Sequence, residues 1–157
     1  MTENKNGIFV LGSGDAEQPY RYAVGKEGSK FLHTLADEER FIGMKCDKCD
    51  QVFVPPRNVC GPCFHPMTEY VDLPNEGEIY AYTILRFTFL DPETGVKKPV
   101  PYGYGLVRLD GADTSFQHFI DVAGKEDKIK VGARVRAVFN ETKERTLRDV
   151  KHFELID

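Results

Sequence analysis

The chain has 157 residues, 41% of them hydrophobic, enough to bury a real core as one domain or two small ones. Its formal charge of −4 excludes the global positive field that draws nucleic acid. No apolar run approaches the ~20 residues that cross a bilayer.

The first 28 residues lack periodicity and are rich in Gly, Asn, Glu and Ser, so they are expected to form an extended arm. Tyr20, Tyr22 and Pro19 make this arm stickier than a linker needs. The opening MTENKNG has no basic segment followed by an apolar stretch, so a cytoplasmic protein without disulfides is expected. From Ser29 to about Glu39 the pattern becomes helical. Ser29 is placed to cap, Phe31, Leu32 and Leu35 share a face, and Asp37, Glu38 and Glu39 lie mostly off it. The acidic end stands at the wrong terminus for the helix dipole, so packing must hold this helix.

The chain has only four cysteines, Cys46-Asp-Lys-Cys49 and Cys60-Gly-Pro-Cys63, with ten residues between the pairs. Two CxxC knuckles at this spacing supply four thiolates for one tetrahedral ion, leaving no open position for substrate. Structural zinc held by Cys46, Cys49, Cys60 and Cys63 is the expected cofactor. Iron of rubredoxin type uses the same four thiolates, and spacing does not separate the two. A redox CxxC would need one pair at a helix start, whereas Asp47, Lys48, Asp50 and the prolines 55, 56 and 62 read as knuckle turns. His65, in Cys-Phe-His-Pro, is a weaker candidate ligand, since four thiolates already satisfy the ion. QVFVPPR is a short strand between the knuckles. A ribbon this small depends on the metal, worth on the order of 10–16 kcal/mol in zinc peptides.

Beyond Cys63 the period becomes two. Strands are expected over 77–89, 102–110, 115–122, 131–140 and 145–156. In the first, Ile79, Ala81, Thr83 and Leu85 should face opposite to Tyr80, Tyr82 and Ile84. In the second, Gly103 and Gly105 alternate with Tyr102 and Tyr104 and mark a bend or a close backbone approach. In the fourth, Val131, Ala133, Val135, Ala137 and Phe139 oppose Arg134 and Arg136. Five strands with a possible helical turn around 123–130 fit a small Greek-key barrel of OB type better than a sandwich. The expected architecture is mostly β: an arm (1–28), a helix plus zinc ribbon (29–70) and a five-stranded OB-fold barrel (71–157).

The stretches FVPPRNVCGPC, EGEIYAYTILRF, PYGYGLVRLD and VGARVRAVF resemble accessory proteins that join an N-terminal helix, a rubredoxin-like zinc ribbon and a C-terminal OB-fold. This family was long catalogued as a domain of unknown function, and the resemblance covers about 31–155. The resembling family often has glycine where this chain has Asp50, and tryptophan where it has Tyr70. The resemblance implies a partner: a thiolase-like catalytic subunit or another acyl-CoA enzyme, which supplies the nucleophile. It also implies a role near the nucleotide end of coenzyme A. The N-terminal extension fits the small subunit of a thiolase that cleaves an aromatic acyl-CoA such as benzoylsuccinyl-CoA.

The residues agree with a non-catalytic subunit. No thiol is left over, and His33, His65, His118 and His152 are scattered. Ser115, His118 and Asp121 lack a nucleophile turn. Arg86, Lys97, Lys98, Arg134 and Arg136 are candidates for phosphate, each more readily read as a solvated charge. Single-stranded nucleic acid is the alternative ligand, with Tyr80, Tyr82, Tyr102, Tyr104, Phe87 and Phe89 to stack bases. Against it, residues 64–124 carry four basic and nine acidic side chains. If a partner covers the chain, Phe31, Leu35, Tyr20 and Phe64 should lie against it.

Overall fold

The computed structural model describes residues 2–3, 9–10, 23–88, 96, 97 and 99–156. At the N-terminus β1 (Thr2–Glu3) pairs antiparallel with β2 (Phe9–Val10). Tyr20, Tyr22, Pro19, Phe89 and Lys98 lie outside the described residues.

Helix α1 spans Gly25–Glu38 and buries Phe31, Thr34, Leu35 and Ala36. It starts four residues before the expected Ser29. That serine does not cap the helix, because its hydroxyl donates to the Gly25 carbonyl inside it (2.7 Å). The acidic C-terminal turn is neutralised from outside the helix. Arg145 reaches Asp37 (3.1 Å), Lys143 reaches Glu39 (2.6 Å), and Arg40 pairs with Glu38 and Asp72.

Three short strands follow: β3 (Phe41–Lys45), β4 (Val52–Phe53) and β5 (Glu69–Leu73), in the order β4-β3-β5. The outer edge of β4 is held by a loop of the next module. Val52 N–H donates to the Asp113 carboxylate (2.7 Å) and Asp113 N–H to the Val52 carbonyl (2.9 Å). Val54 N–H donates to the Thr114 hydroxyl (2.8 Å), which donates back to the Val54 carbonyl (3.0 Å).

The remaining strands are β6 (Glu76–Leu85), β7 (Tyr102–Leu109), β8 (Phe116–Ile120), β9 (Arg134–Phe139) and β10 (Val150–Leu155). They close a barrel in the order β6-β7-β8-β10-β9 and back to β6, with only the β8–β10 pairing parallel. This is the OB arrangement. A 3₁₀ turn at Glu126–Lys128 occupies the connection expected to hold one.

The alternation expected for β9 holds from Ala133 to Phe139, whereas Val131 is 64% exposed because β9 begins only at Arg134. In β6 the expected faces fail at one point. Ile79 pairs with Val107 but Ala81 with Leu106, leaving Tyr80 as a bulge. Beyond it the alternation inverts, so Ile84 joins the core with Ile79 rather than facing away from it. The glycines of β7 mark close approach. A Cβ on Gly105 would stand 2.4 Å from the Ala81 carbonyl oxygen, and one on Gly103 2.8 Å from that of Ile120.

Helix, ribbon base and barrel share one core. Phe41, at the start of β3, packs against Phe31 (6.2 Å between ring centres), Phe116 (5.2 Å), Phe139 (6.0 Å) and Phe153 (6.2 Å). Ile42, Val54, Leu73, Ile79, Val107 and Val135 belong to the same cluster. A separate small cluster of Met44, Cys46, Phe53, Cys60 and Met67 lies under the knuckles.

Candidate metal centre

The two CxxC turns are built alike. In the first, Cys46 N–H donates to the Gln51 carbonyl (2.9 Å) and Asp50 N–H to the Cys46 carbonyl (2.8 Å). In the second, Cys60 N–H donates to the His65 carbonyl and Phe64 N–H to the Cys60 carbonyl, both at 2.9 Å. Each turn closes on a residue with left-handed backbone, Asp50 (φ 60°) and Phe64 (φ 52°). The Asp50 conformation is one that glycine adopts freely.

These turns bring four sulfurs together. Cys46 and Cys63 are 3.5 Å apart, Cys49 and Cys60 3.6 Å, and Cys49 and Cys63 3.8 Å. All four lie within 4.8 Å of one another. Thiolates at ~2.3 Å from a tetrahedral ion stand roughly 3.8 Å apart, whereas a disulfide would need ~2.05 Å. The donor set therefore fits a four-coordinate thiolate metal. When bound, zinc supplies a cross-link between the knuckles and no free coordination position.

The sulfurs differ in their surroundings. Burial acts to raise the Cys46 thiol, but N–H groups of Lys48 and Cys49, with the Cys63 and Cys49 thiols, carry it down to about 7. Burial pushes Cys60 up to about 12. His65 is outside the sulfur cluster. Its Nε2 meets the Asp47 carboxylate at 2.9 Å, so it ties one knuckle to the other. Phe64, at the tip of the second knuckle, is 82% exposed.

The other candidate residues are not brought together. His118 is buried among Phe116, Phe119 and Phe153, and its Nε2 donates to the Val150 carbonyl (2.5 Å). Asp121 accepts from Ala123 N–H (3.1 Å). His33 contacts Asp37 and Arg145. Burial lowers the His152 pKa; the ring lines a 580 Å³ cleft with Pro101, Tyr102 and Phe119. Of the phosphate candidates, Arg86 pairs with Glu126, Arg134 grips Asp110 through two bonds of 2.6 Å, and Arg136 meets Glu154 (3.0 Å). Lys97 is exposed.

Two residues expected at a partner interface are buried in the chain's own core. Phe31 is 2% and Leu35 0% exposed, because α1 lays its apolar face on Phe41 and Phe116. Sequence reasoning missed β5, the pinning of β4, and buried Asp149. The Asp149 carboxylate accepts from Glu144 N–H (2.7 Å) and Thr146 N–H (3.3 Å) and so organises the β9–β10 loop. The Thr-Leu-Arg-Asp capping pattern at 146–149 was the available signal. No helix among the described residues is long and apolar enough to cross a membrane.

Two family models match these modules in order. The rubredoxin-like zinc ribbon domain of ChsH2 matches residues 33–66, and the C-terminal OB-fold domain of ChsH2 matches residues 70–140. The chain belongs to the family that joins these two domains. A DUF35 domain-containing scaffold protein of Methanocaldococcus jannaschii is 29% identical over 111 residues, 68% of this chain and 74% of that one. A protein of the same description from Methanothermobacter thermautotrophicus is 27% identical over 103 residues, 65% and 73%. The crystal structure of a DUF35-family protein of unknown function from Sulfolobus solfataricus superposes with a TM-score of 0.59 at 26% identity, covering 83% of this chain and 84% of that one. The Ltp2-ChsH2(DUF35) aldolase superposes with a TM-score of 0.61 at 20% identity, 86% and 98%, a likeness of fold.

Proposed function

We propose that this chain is a non-catalytic accessory subunit of a thiolase-like acyl-CoA enzyme in the cytoplasm. Its four cysteines hold a structural zinc, and the ribbon docks on a catalytic subunit that supplies the reactive cysteine and histidine. The OB-fold barrel helps to form the acyl-CoA entrance. Cleavage of an aromatic acyl-CoA such as benzoylsuccinyl-CoA is the finer form of this reading.

The observation that carries it is the commitment of the chain's reactive groups. All four thiols stand in one metal-type cluster, and His118, Asp149 and the three candidate arginines are engaged in holding the fold. The names of the relatives, scaffold proteins and an aldolase complex, support the same reading. A tagged chain expressed in its own cells should retain an acyl-CoA enzyme through purification, and thioester cleavage should require both components. Turnover by the chain alone, or no such enzyme in the eluate, would end the proposal.

One observation favours a second reading. Tyr102 and Tyr104 pack beside Phe119 on the β7–β8 face (ring centres 5.9 and 5.0 Å), where OB-folds stack bases of single-stranded nucleic acid. The formal charge of −4 weighs against a polyanionic ligand. Absence of a gel shift at low salt would dispose of this reading.

A further inference from the structure

The four sulfurs are alike as ligands and unlike in access. Cys46 and Cys60 are fully buried beside Met44, Phe53 and Met67, whereas Cys49 is exposed and Cys63 half-buried. Each knuckle thus gives one sulfur to the interior and one to the solvent side. The two outward sulfurs stand 3.8 Å apart across the seam between the knuckles. Oxidation of cysteine follows thiolate character and exposure. Metal ligation equalises the first among the four, so exposure decides which is attacked.

We infer that Cys49 is a peroxide-sensitive modification site, and that its oxidation closes a Cys49–Cys63 disulfide which expels the metal. The inference rests on the zinc reading proposed above. The Cys49 thiolate attacks one oxygen of hydrogen peroxide; an S–O bond forms, the O–O bond breaks, and hydroxide leaves. The Cys63 thiolate then attacks the sulfur of the resulting sulfenic acid, forming the S–S bond and releasing a second hydroxide. Two electrons pass from the two sulfurs to peroxide, and solvent protonates both hydroxides to water. Only Cys46 and Cys60 remain as ligands, and the ion dissociates.

Cys60 is nearer to Cys49, at 3.6 Å, yet it is the poorer partner. Closing either gap to the ~2.05 Å of a disulfide requires a sulfur to move. Cys60 is fixed in the small core, with its N–H and carbonyl both hydrogen-bonded in its turn. Cys63 sits toward the open tip beside Phe64, so oxidation would also disorganise the exposed aromatic that the proposed docking would use.

The test uses the zinc-loaded full chain titrated with hydrogen peroxide. Zinc release is followed with a chromogenic chelator, and each cysteine by differential alkylation and mass spectrometry. One zinc should leave per disulfide, with Cys49 and Cys63 lost to alkylation while Cys46 and Cys60 remain reactive, and a thiol reductant should restore loading. Cys49→His substitutes a ligand that peroxide does not oxidise in this way; it should load zinc and release it roughly tenfold more slowly. A disulfide between any other pair, or release from Cys49→His at the parent rate, overturns the inference. Less than one zinc per chain before peroxide is added overturns the metal reading instead, so the two failures are told apart.

Discussion

Asp50 and Phe64 occupy equivalent places in their knuckles, and both hold a positive φ. For Asp50 the cost is eased by a short polar side chain, which meets Lys45 at 3.0 Å. For Phe64 nothing comparable offsets it, and the ring is left in water. Phe64→Gly should therefore stabilise the isolated, zinc-loaded chain by about 1 kcal/mol, seen as a melting temperature raised by a few degrees. The same variant should retain less of the co-purifying enzyme. At Asp110 the two hydrogen bonds from Arg134 hold the carboxyl below its ordinary value. The folded state then binds this proton less readily than the unfolded one. The pair's contribution is complete at neutral pH and is lost as pH falls below about 4. Asp110→Asn should lower the melting temperature at neutral pH and flatten its fall in acid. Added salt should shrink the difference, since the pair is half exposed. At this scale the clustering of the four cysteines was legible because CxxC spacing is local. The exposure of Phe64 was not, because a pattern of apolar residues says that a side chain seeks burial without saying against what. Phe31 and Leu35 were misread for the same reason.

The elements divide by whether their periodicity is their own. Strand β9 was legible from Ala133 to Phe139 because its alternation repeats over seven residues. The inversion within β6 was not legible, since the bulge at Tyr80 is set by how β6 pairs with β7. Strands of two to five residues, as in the ribbon, are too short to show a period. Between elements, Phe41 is the contact that matters most. It is fully buried and touches aromatic rings from α1, β8, β9 and β10. Phe41→Ala should cost about 3–5 kcal/mol, and ribbon base and barrel should lose stability together in one thermal transition.

In the whole molecule the two apolar clusters predict a graded response to metal removal. The knuckles rest on the small cluster, two of whose five members are knuckle cysteines, whereas the ribbon base shares the large core with the barrel. Chelation should release amide protection around 46–51 and 58–67 while leaving β6–β10 protected, as measured by hydrogen exchange. Acid should release the ion as well, because protons compete for all four thiolates. Global unfolding on chelation would show that the large core does not stand by itself. The placement of Phe41 also bears on descent. A ribbon transplanted onto a different barrel would arrive with a bulky ring evolved for someone else's cavity, and the abandoned barrel would be left with a hole. Two modules joined in this way are bound to travel through evolution as a pair.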